Sequence, residues 1–187
     1  MPAMPVAQPI TADEYLSLPY DEQRTQLIAG EVVVTDPLPR HQIAVLDLLT
    51  ALLDWTRAEP GRGRPMLPLD VRLDELNVYG PDLLWYAEGR APGRAGGRPS
   101  PMPDIAVEVR SPSTWRYDVG VKKSVYERQG LPELWLVDTV AESVLVFRRS
   151  APQAASFDVA LEVGLGEHLA SPLLPGFSVA AADLVGA

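Results

Sequence analysis

A chain of 187 residues, 47% hydrophobic and 22% charged, is long enough for one domain with a sizeable core and short for two. Its net charge of −9 excludes a broad phosphate-binding face, though not a local basic groove, and the absence of cysteine excludes disulfides and thiolate metal sites. No apolar run approaches the roughly 18 residues that span a bilayer, and the N-terminus lacks the basic and apolar regions of a secretory signal, so a soluble, cytoplasmic protein with no membrane partner is expected.

Residues 1–10, rich in Pro and Ala, are expected to be loose, and 11–187 to form a single domain. Thr11 before Ala12-Asp13-Glu14 reads as a helix start with acids in the first turn, stopped by Pro19. A second short helical segment is expected over Asp21–Leu27, then a β-branched strand over Glu31–Thr35 after Gly30. Beyond Pro37 and Pro39, the spacing of Val45, Leu48, Leu49, Leu52 and Trp55 predicts a long amphipathic helix over His41–Arg57, ended by the run PGRGRP at 60–65. Leu69–Leu73 alternates like a half-exposed strand, and Gly80-Pro81 introduces another over Asp82–Tyr86. Residues 88–103 are rich in Gly and Pro, with three arginines. They predict a long loop, of the kind that in compact domains is functional or disordered.

A strand over 104–110 follows, then a helix over Tyr117–Gln129 closed by Gly130. Strands are predicted over Leu134–Val137, Ser143–Arg148 and Phe157–Val163, the first two joined by a turn at Asp138–Glu142, with a short C-terminal helix over Ala180–Val185. The fold class is therefore mixed α/β, a central sheet with one long helix before the 104–110 strand and another after it.

The stretch MPDIAVEVRSPST, 102–114, is the most informative in the chain. Side chains of a strand alternate faces, so Ile105, Val107 and Val109 point one way and Asp104, Ala106, Glu108 and Arg110 the other. The first set is core. The second carries two carboxylates separated by a small Ala106, and buried carboxylates need a partner or a metal. A hard divalent cation answers that need, since Mg²⁺ prefers oxygen ligands, typically one or two carboxylates plus waters. Asp82 supplies another acid at the start of a neighbouring strand. Asp118, Lys122 and Tyr126, four residues apart, share one helical face. A lysine beside such carboxylates can orient a metal-bound water and steady negative charge on a phosphate.

Pro81-Asp82 followed by a strand ending Glu108-Val109-Arg110 resembles the PD-(D/E)XK nuclease motif, in which two acids hold Mg²⁺ and a lysine sits two residues after the second. The ordered segments LIAGEVVV, a His at the start of the long helix (His41), PDLLWY, PDIAVEVRSPST, DVGVKKSVY, GLPELWLVD and SPLLPGFSV resemble the Uma family of restriction-endonuclease-like proteins from about Thr11 to Leu184. The resemblance implies a restriction-endonuclease-like mixed sheet with flanking helices and a Mg²⁺- or Mn²⁺-dependent endonuclease acting on DNA as a homodimer. It implies Asp82 and Glu108 as metal ligands, the Val109 carbonyl as a third, and Lys122 as the catalytic lysine. Position 110, where the superfamily motif has its lysine, holds Arg, whose pKa is too high for proton transfer. The family places the lysine on the following helix, which matches Lys122. Gln26 stands where the family carries Glu.

Other residues have competing readings. Asp104 is an accessory site residue or a turn cap, Glu31 an accessory ligand or an edge-strand acid, and His41 a catalytic group or a polar helix start. Arg110 is expected to pair with Glu108 or Asp104. Two further function classes stay open. One is an inactive nuclease fold kept for binding or self-association, which predicts Arg110 bonded directly to Glu108. The other is a metal-dependent hydrolase of a smaller phosphate ester.

Overall fold

The computed structural model describes residues 8–19 and 23–186. Of the segment expected to be loose, residues 1–7 lie outside the described residues, and Ile10 N–H donates to the Gly30 carbonyl. Helix α1, Ala12–Ser17, begins with a capping box: Thr11 Oγ1 accepts the Glu14 N–H at 3.2 Å and Glu14 Oε2 accepts the Thr11 N–H at 2.7 Å.

Strands β1, Thr25–Ile28, and β2, Glu31–Val34, form a hairpin about Ala29 and Gly30, both at positive φ. The helical expectation over Asp21–Leu27 is thereby corrected from Thr25 onward, and its first two residues lie outside the described ones. Leu27 and Ile28 are consecutive and both fully buried, one against α1 and the other against the main core. A strand covered on both faces achieves this, whereas a helix presents consecutive residues about 100° apart.

Helix α2, Pro39–Ala58, starts with Pro at its first position, where no amide bond is lost, and buries His41, Ala44, Leu48 and Leu52 along one stripe. Strands β3, Arg64–Met66, β4, Val71–Asp74, β5, Asn77–Tyr79, and β6, Leu83–Tyr86, follow. Strands β3 and β5 have no counterpart in the sequence reading. Each is three residues long, too short for a readable alternation. Strand β7 is Ile105–Val109.

The helix after β7 is composite: α3, Trp115–Tyr117, a π-helical turn over Asp118–Lys122, and α4, Lys123–Arg128. Then come β8, Glu133–Asp138, β9, Ser143–Arg148, β10, Val159–Gly164, the short pair β11, His168–Leu169, and β12, Val179–Ala180, and α5, Ala181–Val185.

The central sheet has six strands in the order β10-β9-β8-β7-β6-β3, and only the β7–β8 pair is parallel, joined by the composite helix as its crossover. A second sheet of four antiparallel strands, β2-β1-β5-β4, packs nearby. One face of the central sheet, with Trp85, Ile105, Val107, Val109 and Trp135, meets α2 and α5. The other, with Leu84, Tyr86, Ala106 and Leu136, meets Val125 and Tyr126 of α4 and Ile28, Val71 and Tyr79 of the second sheet. Both faces of β7 are therefore core, and its charged face is buried rather than open. Among the described residues no helix is long and apolar enough to cross a membrane.

Candidate active site

The site lies where β6 stops short of β7. The last register pair is Leu83 with Val107, and Asp82 N–H still donates to the Val107 carbonyl at 2.9 Å. Beyond it the Val109 N–H has no strand to face and donates to Asp82 Oδ2 instead, at 2.8 Å. The carboxylate of Asp82 thus extends the ladder by a side chain, which fixes its orientation. Its other oxygen, Oδ1, takes Arg24 Nη1 at 3.1 Å and His41 Nε2 at 3.4 Å. Burial alone favours a protonated Asp82, but His41, Arg24 and the Val109 amide outweigh it and hold the carboxyl below its ordinary 3.8. In return Asp82 raises His41 above its usual 6.5 against the opposing effect of burial. The Nδ1 of His41 is buried without a hydrogen bond.

Glu108 points from β7 toward the composite helix. Its Oε1 accepts the Tyr126 hydroxyl at 2.8 Å and lies 2.6 Å from Lys122 Nζ. Lys122 is fully buried and also lies 2.8 Å from Asp118 Oδ1, and Thr114 Oγ1 donates to the other Asp118 oxygen at 3.1 Å. The π-helical turn carries both Asp118 and Lys122 into this cluster, in keeping with the frequency of such turns at functional sites. Burial pushes Glu108 up to about 7 despite Lys122, and pushes Asp118 up as well. Lys122 moves the other way from a desolvated amine: burial opposes its charge, but Asp118 and Glu108 prevail and raise its pKa. It is an ammonium, a donor and a fixed positive charge, and no proton acceptor. Asp82 is thus held low, whereas burial pushes Glu108 toward neutrality.

Between them is a cavity of about 10 Å³, lined by Asp82, Glu108, His41, Gln26, Ser111 and Thr114 among others. That is room for about one water-sized particle. The two carboxylates are hard oxygen donors suited to Mg²⁺ or Mn²⁺ with water completing the shell, while Ser111 and Thr114 bond to each other and Arg24 and His41 share the cavity on the Asp82 side. Among the described residues no three His, Asp or Glu side chains form a metal cluster by themselves. The fit therefore rests on the carboxylate pair and on space for an ion. Gln26 keeps a positioning contact that Glu would also make, its Oε1 accepting the Gly80 N–H at 3.2 Å and so anchoring the turn that delivers Pro81-Asp82.

Asp82, Glu108, Lys122, His41, Asp118 and Tyr126 come together in the structure, and the Val109 amide adjoins Asp82. Three candidates do not. Asp104 lies four residues, about 13 Å of strand, from Glu108. Its carboxylate accepts the Ala87 N–H at 2.8 Å and pairs with Arg90, closing the ends of the 88–103 loop. Arg110 pairs with Asp138 at 2.9 Å and lies over the Trp115 ring at 5.4 Å, because the parallel register sets β8's last residue beside it. The pairing expected with Glu108 or Asp104 is absent. Glu31 is exposed at the hairpin end of the edge strand β2, opposite Ile28, and does not line the cavity.

Arg24, Ser111 and Thr114 belong to the site without having been singled out. The two hydroxyls were visible in SPST directly after the strand. Arg24 carried no local signal, since its partner Asp82 is 58 residues away.

Residues 12–182 match the Uma2 family, described as "Putative restriction endonuclease". A crystal structure from Anabaena variabilis, described as "a putative nuclease belonging to DUF820", superposes with a TM-score of 0.77 at 21% identity, covering 95% of this chain and 98% of that one. At that identity the likeness carries the fold alone. No curated protein matches the chain.

Proposed function

The chain belongs to the Uma2 family and has a restriction-endonuclease-like fold, and on that footing we propose that it is a Mg²⁺- or Mn²⁺-dependent endonuclease hydrolysing phosphodiester bonds of DNA. The observation that carries the proposal is the buried carboxylate pair Asp82 and Glu108 lining a space the size of one ion or water, with the buried Lys122 bound to Glu108. Asp82 and Glu108 would hold the metal with the Val109 carbonyl. When bound, Mg²⁺ or Mn²⁺ supplies charge neutralisation at the phosphate and a more acidic water.

The remaining work falls to the chain. Tyr126 fixes Glu108 by donating to Oε1, and the Val109 amide with His41 fixes Asp82. Lys122, held between Glu108 and Asp118, would orient the attacking water through Glu108 and stabilise charge developing on the phosphate. Asp118 and Thr114 keep that ammonium in position. The reading carries with it a homodimer acting in the cytoplasm.

A fold kept only for binding would place Arg110 on Glu108. Arg110 is engaged by Asp138 instead, which leaves Glu108 to Lys122 and Tyr126 and favours the enzymatic reading. The test is a cleavage assay on single- and double-stranded DNA with Mg²⁺ and Mn²⁺, comparing the wild type with Asp82→Ala and Lys122→Ala. Metal-dependent cleavage abolished by both substitutions is expected. No cleavage by the wild type under any of these conditions, or cleavage that survives both substitutions, overturns the proposal.

A further inference from the structure

Beside the small cavity lies a groove of about 1030 Å³, bounded by the end of α1, the β1–β2 hairpin and the 88–103 loop. Arg24 lines both spaces. Its Nη1 is 3.1 Å from Asp82 Oδ1, its Nη2 donates to the Gly80 carbonyl, and a third of its side chain is exposed. One guanidinium is therefore the wall shared by the groove and the carboxylate site.

Two loop arginines line the same groove. Arg94 is exposed, and Arg98 pairs with Asp70 at 2.5 Å and lies over the Tyr15 ring at 5.9 Å. Between these cations the walls mix apolar side chains, Val32, Met66 and Leu69, with the polar Gln23, Thr25, Asp70 and Ser100. Guanidinium groups spaced along a groove with apolar patches suit an unpaired strand, whose phosphates meet the cations while its bases lie against the apolar patches and guanidinium faces. A duplex is stiff and broad and binds to a wide basic surface, which a chain of net charge −9 does not favour.

Resting on the nuclease reading above, we propose that this groove binds one unpaired strand of DNA and that Arg24 is its innermost phosphate contact, delivering the strand to Asp82 and Glu108. The long Gly- and Pro-rich loop then forms one wall of the track and supplies two of its cations. Arg24 has two partners in turn: Asp82 when no strand is present, and a strand phosphate when one is.

The test is fluorescence anisotropy of a labelled oligothymidylate of about 12 nucleotides, titrated with the full chain in EDTA over a range of salt concentrations. The wild type is expected to bind the single strand more tightly than a duplex of matching length. Arg94→Glu and Arg24→Gln should each weaken binding and reduce the salt slope by about 0.7, the share of one phosphate contact on a single strand. Arg57→Glu, in the last turn of α2 and outside the groove, should leave both unchanged. Arg94 is an exposed loop residue, so its variant reports on the groove even if Arg24→Gln fails to fold. Duplex binding as tight as strand binding, or an Arg94→Glu slope equal to the wild type's, overturns the proposal. The two readings fail separately. Strand binding with no metal-dependent cleavage sinks the nuclease reading alone, and cleavage with an unmoved salt slope sinks the groove alone.

Discussion

Replacing Lys122 by Met keeps nearly the volume of the side chain, one atom shorter, and removes its charge and its hydrogen-bond donors. In the native protein that ammonium lies 2.6 Å from Glu108 and 2.8 Å from Asp118, with no solvent exposure. Removing one member of a buried ion pair leaves an uncompensated charge and costs about 3–5 kcal/mol. Here the two carboxyls can escape part of that penalty by binding protons, so the loss depends on pH.

Stability falls with rising pH wherever the native state holds more protons than the unfolded state. For the wild type, Glu108 contributes such a fall between its ordinary 4.5 and about 7, on the order of 3 kcal/mol at 1.36 kcal/mol per pH unit, and then levels off. His41, raised above 6.5, adds stability that is lost as pH climbs through its native value, equally in both proteins. Asp82 is held low, so its contribution is already complete above 3.8 and constant in this range. Without Lys122, Glu108 and Asp118 stay protonated to higher pH, and the decline continues past pH 7 at about 1.4 kcal/mol per unit for each carboxyl. Urea denaturation of the metal-free proteins at pH 5, 7 and 8 reads this directly. The deficit of the variant should be greatest at pH 8 and widen between pH 7 and 8. A deficit below about 1 kcal/mol, or one equal at pH 7 and 8, would refute the picture of a charge-compensated buried triad.

Glu108→Gln should reduce the wild-type decline between pH 5 and 7 by removing one of its titrating groups, with Asp118 and His41 remaining, and should abolish metal-dependent cleavage; both are read on the same preparation. Addition of Mn²⁺ at a hundredfold excess over its Kd should stabilise the wild type by about 2.7 kcal/mol and leave the melting temperature of Asp82→Ala unmoved. Arg110→Ala removes the Asp138 pair and the contact with Trp115, so stability should drop by about 1–2 kcal/mol while cleavage per folded molecule stays at the wild-type level. A loss of cleavage there would place Arg110 in the chemistry. Gly30→Ala puts a Cβ into Pro9 at a backbone angle of +80°, and should lower stability by more than about 1 kcal/mol in thermal denaturation.

What the sequence determined by itself is local and periodic. The two-residue alternation of β7 set Glu108 on the opposite face from Ile105 and Val107. The apolar stripe of α2 and the cap at Thr11 were equally legible, and the four-residue spacing of Asp118, Lys122 and Tyr126 put all three toward one neighbour. These follow from backbone geometry over a handful of residues.

The tertiary structure decided which charge meets which. Arg110 and Asp138 are 28 residues apart, Arg24 and Asp82 58, and both pairs exist because particular strands became neighbours. Asp104 shares a strand face with Glu108 but is drawn to Ala87 and Arg90 at the opposite end. The segment around Thr25 became a strand through its hairpin with β2 and the burial of both its faces, which outweighed the helical reading. A side chain's direction is set by its own backbone, but its partner is set by the packing of elements distant in sequence. That is why Glu108 could be placed from the sequence, while the wall that Arg24 forms beside it required the fold.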